Sequence, residues 1–242
     1  MSRLKPVLQA LLPRACGGCN ANFSGQGGFC PICAPVVEPL SKCCQRCAEP
    51  MGSSEERKSR SLCTHCVADP PNFQRAFALF TYDGAVADCI RRTKYGGDLQ
   101  ALHSLCLEAR PLMPRQGREL PKEITSVVMP SHSREIRKRG FHVPSLIARH
   151  LSELLPPKER FGQLVKTRST SQQASLGYER RSLNVAEAFA WKGRPSLGGP
   201  ILLIDDVMTT GATVREATVV LQAAGYDEVY VLLLARAQRL AA

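Results

Sequence analysis

ILLIDDVMTTGATVREA, residues 201–217, is the stretch on which the reading of this chain turns. Four apolar residues run into two aspartates. A hydroxyl-rich turn follows, and then a segment with helical spacing. PILLID (200–205) is a short apolar run of the kind buried on both faces of a parallel sheet. TVREATVVLQAAGY (213–226) predicts a helix with Gly225 as its stop. EVYVLLLARA (228–237) predicts a second buried strand. Strand, helix and strand joined by short links predict a right-handed parallel crossover, hence an α/β fold.

Ligands of open parallel sheets bind beyond the carboxyl ends of the strands. Asp205 and Asp206 are expected at such an end. The turn beyond them comprises Val207, Met208, Thr209, Thr210, Gly211, Ala212 and Thr213. Its backbone amides and the helix start can converge on an anion. The three threonines add hydroxyl donors, and Gly211 lets the backbone come close. The carboxylates cannot hold phosphate. They accept hydrogen bonds from vicinal hydroxyls or bind hydrated magnesium. Phosphate beside two sugar hydroxyls describes a ribose 5-phosphate. Simple capping of the helix accounts for one threonine but not for two aspartates and three threonines together.

Outward from this stretch, the 242-residue chain has an ordinary globular balance, 44% hydrophobic and 22% charged. Its formal net charge of +11 favours polyanionic or phosphorylated partners, and most of the surplus lies beyond residue 72. A solvated basic surface is the plainer reading of that charge. No run of about 20 apolar residues indicates a membrane span. MSRLKPVLQALLPRAC (1–16) reads as a short helix or cap rather than an export signal, so a cytoplasmic location is expected.

In a reducing compartment cysteines are metal ligands more often than disulfides. Eight of the eleven fall in four C-x-x-C pairs: Cys16 and Cys19, Cys30 and Cys33, Cys44 and Cys47, Cys63 and Cys66. Two such turns complete a tetrahedron around zinc, so one or two structural zinc ions are expected. The spacing leaves the pairing open, the sequential one being simplest. All-cysteine sites leave no position for water, which favours a structural role. Few apolar residues lie in this segment, so it needs a metal to fold. Cys43 is a spare or alternative ligand, His65 is expected in an exposed loop, and Cys89 and Cys106 read as small buried hydrophobes.

A polar loop is expected over GSSEERKSRS (52–61), and DPPNF (69–73) reads as a linker. That divides the chain into a cysteine-rich module, 1–72, and a larger domain, 73–242. AFALFTY (76–82) and ITSVVMP (124–130) predict strands. AVADCIRRTKY (85–95), LQALHSLCLEAR (99–110) and FHVPSLIARHLSELL (141–155) have helical spacing, with Pro144 in the first turn of the last. Residues 166–184 are polar and without clear period.

LLIDDVMTTGAT resembles the phosphoribosyl pyrophosphate (PRPP) loop of type I phosphoribosyltransferases. Further segments narrow the resemblance to the ComF/GntX family of competence-associated proteins. RTKYGGD (92–98) is similar to that family's lysine-aromatic-glycine stretch, and VVMPSHSREIRKRGFHVPSLIA (127–148) to its strand, proline and Arg-Gly-Phe segment. KTRSTSQQASLGYERRSLNVAEAF (166–189) resembles its Arg-x-Arg-x-Thr-x-x-Gln, Leu and Arg-x-x-Asn pattern, and the paired cysteines match as well.

The resemblance implies a mostly parallel sheet flanked by helices, preceded by a small zinc module. It implies that Asp205 and Asp206 hold the ribose hydroxyls at the catalytic centre, and that magnesium accompanies PRPP. It implies a hood over the substrate at 166–184, where Arg168, Thr170, Gln173, Arg181 and Asn184 match the pattern and Lys166 stands in place of an arginine. Arg134, Arg137, Lys138 and Arg139 are expected to clasp pyrophosphate, for which arginine forks suit the oxygens. His142-Val143 replaces the family's Asn-Gln, and His132 lies near the expected pyrophosphate loop.

The implied function is a PRPP-dependent transferase linked to DNA uptake or nucleotide salvage. A PRPP or nucleotide sensor and a handler of single-stranded DNA within the competence machinery are the alternatives. Only 14 of 242 residues are aromatic, which weakens a stacking platform for single strands.

Overall fold

The computed structural model describes residues 14–51, 61–113, 119–159, 162–168 and 188–239. Two short strands, β1 (Arg14–Ala15) and β2 (Asn22–Phe23), form an antiparallel pair in the cysteine-rich segment, and helix α1 (Thr64–Ala68) holds Cys66, with Cys63 at its N-cap. The principal elements then follow: β3 (Arg75–Thr81), α2 (Gly84–Gly96), α3 (Leu99–Ala109), β4 (Thr125–Val128), α4 (Ser133–Arg139), α5 (Val143–His150), β5 (Gly162–Lys166), β6 (Phe189–Gly193), β7 (Pro200–Met208), α6 (Ala212–Ala223) and β8 (Glu228–Arg236).

Strands β3, β8, β7 and β4 make one parallel sheet in that order, and β5 pairs with β6 antiparallel. The expected β7-α6-β8 unit is present with its strands paired in parallel. Period-two alternation divides the sheet's side chains between two cores. Leu202, Ile204, Leu232 and Leu234 pack with α2, α3 and α5. Ile201, Leu203, Val231 and Leu233 pack with α6 and the β5-β6 pair. Burial on both faces explains why β7 and β8 read as continuous apolar runs, and β3 is likewise buried throughout its interior. The outer edge of β3 is covered: Leu40 N–H donates to Leu79 C=O at 2.9 Å, and Pro39 bridges Phe80.

Asp83 and Asp98 cap α2 and α3 by accepting from Gly84 N–H and Ala101 N–H. Pro144 sits in the first turn of α5, where its missing N–H costs nothing. The two cysteine groups lie on opposite sides of the sheet. Cys16 and Cys30 belong to the α2-α3 core, whereas Cys44, Cys47, Cys63 and Cys66 belong to the α6 core. The first group is pressed against α3: a Cβ on Gly28 would lie 2.3 Å from the Ser104 carbonyl oxygen, so only glycine fits. Among the described residues no helix is long and apolar enough to cross a membrane.

Candidate functional site

The site is built at the carboxyl end of β7. Its neighbour β4 stops at Val128, which pairs with Ile204, while β8 continues to pair as far as Met208 and Arg236. Asp205 and Asp206 therefore stand where one neighbouring strand has ended and the other has not. The strand was expected to end at the aspartates. It runs on to Met208 because the β8 ladder carries it, so Val207 and Met208 are strand residues rather than turn residues. Met208 is buried in the α6 core and offers no side chain to a ligand.

The aspartates are 8% and 7% exposed, so neither is wholly shut off and both are strongly desolvated. Asp205 Oδ1 accepts from Asp206 N–H at 2.8 Å, and Asp206 Oδ1 accepts from Val207 N–H at 2.7 Å. Asp206 Oδ2 lies 2.8 Å from Lys94 Nζ, at the last turn of α2. Burial pushes the Asp205 carboxyl up to about 7, the adjacent Asp206 charge pushes in the same direction, and Lys94 and Lys166 pull against them. Burial works against the Lys94 charge, but the attraction of Asp206 prevails and raises its pKa. His142, at the start of α5, is lowered by burial against the pull of Asp206, and its Nδ1 lies 2.7 Å from Ser145 Oγ. Strand β7 thus presents two carboxylates that act as one charged unit with Lys94. Sequence alone placed Lys94 in a matching segment but not in the site. Its signal is a lone lysine in a helix end followed by a glycine stop.

Beyond the strand, Thr209 is exposed and Thr210 half-buried. Gly211 is the N-cap of α6 at φ 84°, a conformation that favours glycine, and no side-chain cap is present there among the described residues. Thr210 Oγ1 instead accepts from Ala212 N–H at 3.4 Å. Ala212 and Thr213 open the helix, so the helix starts one residue before the sequence-based boundary. Apart from this long contact from Thr210, no N-cap side chain covers the amides at the positive end of this 12-residue helix among the described residues.

The basic segment forms the short helix α4. Arg134, Arg137 and Lys138 are exposed, and Arg139 lies over the ring of Tyr95 at 5.9 Å. Among the described residues the acid pair is joined to Lys94 rather than to these arginines. His132 Nδ1 accepts from Arg134 N–H at the start of α4, which gives it a capping role. Lys166 ends β5 and its charge acts on Asp205, while Arg168 is exposed. Thr170, Gln173, Arg181 and Asn184 lie outside the described residues.

The cysteines gather as the sequential pairing has it. Cys16, Cys19, Cys30 and Cys33 form one group and Cys44, Cys47, Cys63 and Cys66 another, the sulfurs of each within 4.8 Å of one another. Cys19 and Cys30 sulfurs are 3.9 Å apart and those of Cys47 and Cys63 3.6 Å. A tetrahedral ion with bonds of about 2.3 Å needs an edge of about 3.8 Å, so both groups fit structural zinc. Cys43 lies outside the second group, and Cys89 and Cys106 are buried hydrophobes as expected. His65 is not in a loop: it lies in α1, half-buried, with Nδ1 3.6 Å from Glu49 Oε2.

No family model matches the chain. It is 28% identical over 230 residues to DNA utilization protein YhgH of Escherichia coli (strain K12), covering 93% of this chain and 98% of that protein. It is 26% identical over 229 residues to competence protein F of Haemophilus influenzae, covering 92% and 96%. Over 228 residues it is 28% identical to competence protein ComFC of Streptococcus pneumoniae, covering 91% and 87%. These homologues support the ComF family. The similarity to these proteins extends over almost the whole chain.

Proposed function

We propose that this ComF-type chain is a phosphoribosyltransferase-like protein that binds PRPP at the β7-α6 turn, with a link to DNA uptake or nucleotide salvage. In this reading residues 73–242 form the ligand-binding domain and 1–72 the supporting zinc module. The observation that carries it is the meeting of the Asp205-Asp206-Lys94 unit with a helix start that has a glycine, not a polar side chain, at its cap. The 5-phosphate accepts hydrogen bonds from the turn amides and from Thr209, Thr210 and Thr213. Asp205 and Asp206 accept from the ribose hydroxyls, and Lys94 faces the anionic groups. The carboxylates are hard oxygen donors of the type that suits magnesium arriving with PRPP, whose charge would offset that of the pyrophosphate.

In the transfer, the bond from C1 to the pyrophosphate oxygen breaks and pyrophosphate leaves with the electron pair. An acceptor lone pair forms the new bond to C1 and the acceptor loses a proton. The protein's work is positioning and charge stabilisation. Arg134, Arg137 and Arg139 supply positive charge toward the leaving group from α4, with Arg168, Gln173 and Arg181 as the hood contribution. The names of the relatives, which speak of DNA utilization and competence, support the DNA link.

Calorimetry with PRPP and magnesium tests the pocket, and a screen of nucleobases for pyrophosphate release tests catalysis. Binding without release under any acceptor points to a sensor, and no binding at all overturns the reading. A handler of single-stranded DNA is the second reading, favoured by the exposed basic face of α4. It requires DNA affinity that falls steeply with salt.

A further inference from the structure

We infer that the second cysteine group is a positioning element for the β7-α6 turn, acting through Glu49, Arg236 and Arg239, so that metal in that group tightens the turn's hold on phosphate. This rests on the reading of the turn as the phosphate site.

Three successive carbonyls, from the end of β7 into the turn, are held from one side. Arg236 Nη1 donates to Met208 C=O at 3.0 Å and to Thr209 C=O at 2.5 Å, and Arg239 Nη2 donates to Thr210 C=O at 2.6 Å. A trans peptide is planar, with its C=O and the following N–H pointing in opposite directions. Fixing the carbonyls of 208, 209 and 210 therefore turns the N–H groups of Thr209, Thr210 and Gly211 to the other side, as a phosphate cradle requires.

The two arginines are in turn fixed by the cysteine group. Arg236 is fully buried, and its Nε donates to Cys47 C=O at 3.1 Å. Glu49, two residues after Cys47, accepts from Arg239 N–H at 3.2 Å and pairs with Arg236 Nη2 and Arg239 Nε, each at 3.8 Å. Its other neighbours are Cys47 Sγ at 4.0 Å and His65 Nδ1 at 3.6 Å. The knuckle holds Glu49 by its backbone as well, since Cys44 N–H donates to Glu49 C=O at 2.9 Å. Between them Ala48 adopts φ 55°, a conformation that a non-glycine residue keeps only where its surroundings impose it.

Four thiolates around a divalent ion leave net negative charge beside Arg236, and the ion fixes the Cys44-to-Glu49 turn. The chain of contacts thus runs from the sulfurs through Glu49 and two arginines to the carbonyls behind the phosphate cradle. Coupling of this sort is reciprocal: ligand at the turn must also strengthen retention of the metal.

Hydrogen exchange at the amides of residues 209–214 tests the coupling without any ligand. It compares the zinc-loaded protein, the chelator-treated reduced protein, Glu49→Gln and Arg239→Ala. Removing metal or either side chain is expected to speed exchange about tenfold, and to weaken PRPP-magnesium binding in calorimetry by a similar factor. PRPP is expected to slow zinc transfer from this group to a chelator. In a Cys16→Ser, Cys19→Ser variant, which lacks the other group, the same exchange stays at the wild-type rate. Unchanged exchange in both Glu49→Gln and Arg239→Ala overturns the inference. If the wild type fails to bind PRPP while exchange still responds to metal, the phosphate reading falls and the coupling stands.

Discussion

Lys94 Nζ lies 2.8 Å from Asp206 Oδ2, joining the last turn of α2 to the end of β7. The lysine side chain is 18% exposed and the aspartate side chain 10%. Breaking a buried pair by removing one partner leaves the other charge uncompensated. Lys94→Ala is therefore expected to cost about 3 kcal/mol in urea unfolding, and Lys94→Met with Asp206→Asn to recover most of it. Equal stability of Lys94→Ala and wild type would show that the pair is open to water.

Asp205 gives the site its pH dependence. Burial raises its carboxyl from 3.8 to about 7 in the folded chain. Between those values the unfolded chain has released a proton that the folded chain retains, so stability falls as pH rises from about 4 to about 7 and is level above that. Asp205→Asn removes the effect. Its Tm is expected to exceed that of the wild type at pH 8 and to match it near pH 4. A constant difference at both pH values would refute the assignment.

Removal of both carboxylates separates the pocket from the zinc module. Asp205→Ala with Asp206→Ala is expected to abolish PRPP binding in calorimetry while zinc per chain, by elemental analysis, stays unchanged. Binding equal to wild type counts against the pocket.

Metal content is countable. Two four-cysteine groups predict close to two zinc per chain, falling to one in Cys16→Ser with Cys19→Ser. A folded chain purified without metal, with unaltered Tm on adding zinc, contradicts this.

Gly211 tests the turn itself. At φ 84° it stands where a side chain is strained, and a Cβ there would meet Met208 Sδ at 3.4 Å. Gly211→Ala is expected to lose about 1 kcal/mol of stability and to weaken PRPP binding more than thermal data alone account for. Wild-type affinity in this variant would mean that the turn's backbone does not touch the ligand.

Much of this was legible in local patterns. The apolar runs at 200–205 and 228–237, the helical spacing between them and the glycine stop sufficed for the β7-α6-β8 unit, since burial on both faces leaves a continuous hydrophobic signature. The C-x-x-C turns were equally plain, because two thiolates at that spacing face one ion whatever surrounds them. The end of β7 was not legible: it depends on β8 continuing to pair after β4 has stopped, and pairing partners leave no mark in the strand's own residues.

By itself, then, the sequence determined the parallel unit, the cysteine knuckles and the acidic and hydroxyl character of the turn. These depend on residue type and short-range spacing. Only the tertiary structure decided that Lys94 faces Asp206, that the cysteine groups lie on opposite sides of the sheet, and that Glu49 ties one of them to Arg236 and Arg239 behind the turn. The physical reason is that charge pairing in a buried site is a property of distance in space. Residues far apart in the chain acquire it only when the sheet and its two packed faces bring them together.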